Sequence, residues 1–131
     1  MVKVAMGLMS AAAMLVAAPA MAHGQEIPND LDRCGADARG PAVLVDVRGF
    51  AAATGKVRVQ SYPGTKAAWL EKGEWINRID VPARPSHGAM RFCMPVPHAG
   101  TYGIAVRHDR NGNGKTDISR DGGGFSNNPS I

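Results

Sequence analysis

The chain has 131 residues, 20% of them charged, and a formal net charge of +4. A chain of this length is expected to build one domain around a single small core. Lys and Arg are scattered singly and aromatic residues make up only 5%, which argues against a nucleic-acid binder with its clustered basic stripe and stacking platform.

Lys3 precedes a mostly apolar run over residues 4–18, which ends in Pro19-Ala20-Met21-Ala22. That order of charge, apolar stretch and small residues predicts a cleaved secretory signal peptide over residues 1–22, with Ala20 and Ala22 as the cleavage pair. The run is shorter than the roughly 20 residues of a spanning helix, so no transmembrane segment is expected. No Cys lies near Ala22, which argues against a lipoprotein anchor. The mature chain would begin at His23, carry a net charge of +3 once Lys3 is lost, and reside in the periplasm or outside the cell. In such a compartment Cys34 and Cys93 are expected to form a disulfide, and two thiols allow one pairing. The bridge closes a loop of nearly 60 residues, for which chain entropy gives roughly 4 kcal/mol. A free thiol nucleophile is the competing reading, but neither cysteine has a C-x-x-C context.

Residues 23–40 are polar and interrupted by Pro28, Gly35 and Gly40, and read as an N-terminal arm held by Cys34. Residues 41–131 are expected to form the sandwich domain, with a Gly/Asn-rich loop towards the C-terminus. Val43, Val45 and Val47 alternate with Leu44, Asp46 and Arg48, the pattern of a half-buried strand. The alternation resumes over residues 56–60 after Thr54-Gly55, and the short link predicts an antiparallel hairpin. Residues 63–73 have no clean period and read as a loop with one short helical turn. Trp75, Asn77, Ile79 and Val81 then share one face of a strand.

A further strand over residues 89–94 puts Met90, Phe92 and Met94 on one face and Arg91 and Cys93 on the other. The disulfide is therefore expected to pin the arm across the outside of the sheet. Thr101 enters another strand, with Tyr102, Ile104 and Val106 facing one way. Short alternating strands with Gly and Pro punctuation predict an all-β fold: a single antiparallel β-sandwich, immunoglobulin-like or prealbumin-like.

The segment 108–117 places oxygen-bearing side chains at every second position. An EF-hand-type loop takes its oxygens from positions 1, 3, 5, 7 and 9 with Gly at 6, and here these are Asp109, Asn111, Asn113, the Lys115 carbonyl and Asp117, with Gly114 at 6. Position 12 is Arg120 where an EF-hand has Glu, and Asp121 comes one residue late. A weak Ca²⁺ site is one reading. A turn held by Asx hydrogen bonds, with residues chosen for their tolerance of left-handed backbone, is the other.

Gly122-Gly123-Gly124 reads as a tether or a close backbone contact, and Phe125 as an aromatic that tucks the tail against the sandwich. Ser126 has no G-x-S-x-G context, and no catalytic constellation is visible, so an enzyme is not expected. A second metal reading uses His23, whose free amino group and imidazole would chelate Cu²⁺ if His87, His98 or His108 approached.

The runs 96–106, 108–115 and 124–128 together resemble domain-of-unknown-function family 2141, small exported bacterial proteins. The similarity covers residues 42–128, and the sequence departs from the family pattern between Asp117 and Gly124, where the connection is short and glycine-rich. The resemblance implies an exported β-sandwich without an assigned activity. Its Gly-Thr-Tyr strand entry also looks like that of prealbumin-type and peptidase-regulatory sandwiches, which by analogy favours binding over catalysis. The expectation is an exported binding or accessory module for an envelope protein or extracellular ligand, with a periplasmic copper-binding protein as the alternative.

Overall fold

The computed structural model describes residues 24–116 and 121–126. The expected signal peptide, His23 and Asp117 therefore lie outside the described residues. Among these described residues seven strands form two sheets. The larger has the order β1-β4-β3-β6-β7, from β1 (Gln25–Glu26), β3 (Lys56–Pro63), β4 (Asn77–Pro82), β6 (Tyr102–Asp109) and β7 (Gly122–Phe125). The smaller pairs β2 (Ala42–Arg48) with β5 (Ala89–Pro95). Every ladder is antiparallel except the two-residue β1, which runs parallel to β4. The fold is all-β, as expected, and among the described residues no helix is long and apolar enough to cross a membrane.

The core lies between the inner faces and follows the sequence alternation. Val57 and Val59 of β3, Ile79 of β4, Ile104 of β6, and Phe92 and Met94 of β5 are buried, with Val43, Val45 and Val47 packed against them. Two polar side chains enter this layer with their hydrogen bonds made, as burial requires. The Ser61 hydroxyl accepts from the Asn77 backbone N–H (3.2 Å), and the Asn77 amide donates to the Pro95 carbonyl (2.9 Å), tying the two sheets together.

Cys93 points away from the core and is joined to Cys34, so the arm lies on the outer side of β5, as the alternation predicted. A single 3₁₀ turn (Leu31–Cys34) carries the cysteine, with Asp30 as its cap accepting from the Asp32 N–H. The arm also closes the free edge of β5. The Asn29 side chain accepts from the Cys93 N–H (3.0 Å) and donates to the Arg91 carbonyl (2.9 Å), standing in for the peptide of a missing strand. Asn29→Ala leaves both groups without that partner, and about 2 kcal/mol of stability should be lost in urea unfolding. A loss under about 0.5 kcal/mol would mean that water replaces the amide at no cost.

The hairpin expected between β2 and β3 does not form. β2 pairs with β5 and β3 lies between β4 and β6, so residues 49–55 cross from one sheet to the other. Seven residues span the roughly 10 Å between packed sheets with ease. Phe50 packs against the core on the way, its ring edge-on to His108 at 5.2 Å, and His108 Nε2 lies 2.7 Å from the Thr54 carbonyl.

The outer face of the larger sheet carries a second, smaller cluster. Trp69, from the turn-rich 64–73 segment, stacks edge-on against Tyr62 (5.5 Å) and Phe125 (5.7 Å). Gly103 lets it lie there, because a Cβ at that position would stand 2.2 Å from the indole. Burial pushes the Tyr62 phenol above its usual range. Phe125 thus packs against the sandwich, as its sequence context suggested.

Candidate functional site

The triple glycine is neither tether nor loop. Residues 122–124 pair with His108, Arg107 and Val106 as the edge strand β7, and Ser126 continues the ladder through its N–H to the Ile104 carbonyl (2.9 Å) and its hydroxyl from the Ile104 N–H (3.0 Å). Glycine is a poor strand former, so a physical reason for three in a row is needed. Backbone conformation does not supply one, since residues 122–124 are absent from the glycines with positive φ. Close contact does not supply one either, because a Cβ at Gly124 would meet nothing within 4 Å.

What the glycines border is a cleft of about 600 Å³ where the two sheets part. Its floor is Ile104, Val106 and His108 of β6, and its opposite wall is β2 with Phe50. Gly122 and Gly124 stand opposite His108 and Val106 in register and share their face. Side chains there would project into the space, so their absence keeps it open.

Both sides of the cleft are strand edges. Val96 N–H donates to the Pro41 carbonyl, and in the antiparallel register this makes 43, 45 and 47 the β2 residues bonded to β5. The N–H and C=O groups of Leu44, Asp46 and Arg48 consequently point to the other side, where no strand pairs with β2 among the described residues. The parity is confirmed on β5, whose outward groups at Arg91, Cys93 and Pro95 are the ones met by Asn29 and Asn77. On β7 the same reasoning directs Gly123 and Phe125 outward.

The loop from β6 to β7 begins and ends at the cleft, which Arg110 and Asp121 both line. Asp109, at the end of β6, is 4% exposed. Its Oδ2 accepts from the Gly114 N–H at 2.7 Å, while its Oδ1 is buried without a hydrogen-bond partner among the described residues. Asn111 Oδ1 accepts from the Asn113 N–H (3.3 Å) and Asn113 Oδ1 from the Lys115 N–H (2.8 Å). These are the Asx turns of the second sequence reading, made by the residues of the first. Asp121 Oδ1 accepts from the Arg110 N–H (3.1 Å), closing the loop across its base.

The histidines are spread over the sandwich. His87 and His98 flank β5, whose seven residues separate them by roughly 23 Å. His87 Nδ1 lies 3.2 Å from the Ser86 hydroxyl, and His98 Nδ1 lies 3.0 Å from the Ala99 carbonyl. Among the described residues no three His, Cys, Asp or Glu side chains come together as a metal-binding group.

The family described as Uncharacterized protein conserved in bacteria (DUF2141) matches residues 45–131. The chain belongs to this family. The match takes in β3 to β7, most of β2 and the whole β6–β7 loop, and leaves the arm with Asn29 and Cys34 outside it. No curated protein and no solved structure matches the chain. The family description assigns no activity.

Sequence reading located the loop but missed the cleft. The signal for it was present in a weak form, since a Gly-Gly-Gly-Phe segment that forms a strand without needing glycine backbone marks a place where side chains are unwelcome. Nothing in the Leu44, Asp46 and Arg48 side chains announces that their backbone edge is open.

Proposed function

We propose that this chain is an exported, non-catalytic binding module that takes an extended segment of a partner polypeptide into the cleft between β2 and β7. The three glycines of β7 carry the reading, because they leave open a space that ordinary strand residues would fill. The occupant follows from the walls. An extended chain lying along β2 would bond Leu44, Asp46 and Arg48 through its backbone and direct alternate side chains onto Ile104 and Val106. Strand addition of this kind draws affinity from main-chain hydrogen bonds and specificity from pockets for alternate residues. The disulfide and the leader-like N-terminus support an extracytoplasmic setting, where such edges meet envelope or secreted partners.

Hydrogen exchange on the oxidised protein tests the geometry first. The Leu44, Asp46 and Arg48 amides should exchange rapidly and those of Val43, Val45 and Val47 slowly. Panning a random linear 12-residue peptide library should then yield sequences with alternating apolar residues, and their binding should protect the three fast amides. Gly124→Val places a strand-forming side chain in the cleft, so it should abolish binding while the melting temperature stays at or above that of the parent. Peptides that bind the valine variant equally well would refute the reading, as would protection of Leu44, Asp46 and Arg48 in the free protein.

A further inference from the structure

We infer that the β6–β7 loop holds a calcium ion on Oδ1 of Asp109. A carboxylate oxygen removed from water normally has a donor, since an unmet buried acceptor is costly. Asp109 is buried, and its Oδ2 is fixed by the Gly114 N–H, which turns the carboxylate into the loop. Among the described residues its other oxygen has no hydrogen-bond partner. A cation satisfies that oxygen directly.

The surrounding chemistry selects the cation. The loop offers the side-chain oxygens of Asn111 and Asn113 and the backbone carbonyl of Lys115, with no thiol or imidazole among residues 109–116 beside Asp109. Each Asn oxygen accepts an Asx-turn N–H, and an amide oxygen carries two lone pairs, so the same atom can serve a turn and a cation. Gly112 and Gly114 have φ of 66° and 77°, which lets the chain curl tightly enough to bring successive carbonyls round one point. An all-oxygen set of neutral and anionic donors suits a hard cation, and its irregular geometry suits Ca²⁺ better than the octahedral, tightly hydrated Mg²⁺.

Arg107 reaches the same loop through Thr116 (3.1 Å), and Lys115 is part of it. Positive charge so near holds the affinity in the weak range of extracellular modules, roughly 10⁻⁴ to 10⁻³ M. The consequence is local order. A bound ion would set the geometry of a loop whose two ends line the cleft, although the site needs no partner polypeptide to fill it.

Thermal melts in 10 mM CaCl₂, 10 mM MgCl₂ and EDTA, with calorimetric Ca²⁺ titration, test the site. The parent protein should gain about 5–10 °C in Ca²⁺ relative to EDTA and clearly less in Mg²⁺. Asp109→Asn keeps an acceptor for the Gly114 N–H but removes the charge, so its Ca²⁺ shift should vanish while its melting point in EDTA is no lower than the parent's. Lys115→Gln keeps the carbonyl and removes a neighbouring charge, and Ca²⁺ should bind it several-fold more tightly. An unmoved parent transition in 10 mM Ca²⁺, an equal shift in Mg²⁺, or an equal Ca²⁺ shift in Asp109→Asn would each overturn the inference. None of these readings involves peptide binding, so the two proposals fail separately.

Discussion

Replacing Cys34 and Cys93 together by alanine is expected to lower stability by about 4 kcal/mol, read from urea unfolding of the oxidised parent and the variant. The bridge joins residues 59 apart in sequence, and a loop of that length removes about 4 kcal/mol of chain entropy from the unfolded state. A domain of roughly 100 residues shifts by about 4–8 °C for each kcal/mol, so the melting point should fall by about 15–30 °C. The effect reaches beyond the bridge because the arm carries Asn29. Once the arm is released, the Cys93 N–H and the Arg91 carbonyl lose the amide that pairs them. The edge of β5 then becomes as open as that of β2. A soluble variant should therefore self-associate more than the parent in sedimentation, as a two-stranded sheet with both edges free invites strand pairing. A stability loss below about 1 kcal/mol would show that the arm docks through its own contacts and that the bridge adds little.

The strands that were legible in the sequence are those with one wet face and one dry face. Val43, Val45 and Val47, and likewise Phe92 and Met94 against Cys93, announce their orientation by period two alone. The side of the sheet on which the disulfide lies follows from the same parity. Pairing was less legible, because alternation identifies a face and not a neighbour. The crossover of residues 49–55 resembles a hairpin link by length, and what distinguishes it is Phe50, which has to reach the core and turns the chain towards the other sheet. β7 was invisible for another reason. Glycine contributes no side-chain pattern, so a strand made of three glycines is formed entirely by its ladder with β6 and by Phe125 against Trp69. The β6–β7 loop was visible since Asp, Asn and Gly at alternating positions are themselves the cause of its Asx turns. The orphaned oxygen of Asp109 was not, since it depends on burial by residues distant in sequence.

Gly55→Ala should be the most damaging single-methyl change among the described residues, costing about 2–5 kcal/mol in urea unfolding. Two effects combine there. Gly55 has a φ of 73°, a left-handed conformation that costs an ordinary residue roughly 1–2 kcal/mol. A Cβ at this position would also stand 1.8 Å from the Asp109 carbonyl oxygen and 2.7 Å from the Arg110 carbonyl. Both contacts are backbone, and a side-chain rotation cannot relieve them. Forced separation of packed groups costs about 1–3 kcal/mol more. Gly49 provides the control, because its φ is 82° but a Cβ there meets nothing within 4 Å. Gly49→Ala should lose only the left-handed share. The difference between the two variants isolates the close passage of the crossover beside the end of β6. That passage also positions Asp109, so Gly55→Ala should weaken the response to Ca²⁺ whereas Gly49→Ala leaves it intact. Equal losses in the two variants would mean that the crossover can swing away from β6 at no cost, and that the burial of Asp109 does not depend on it.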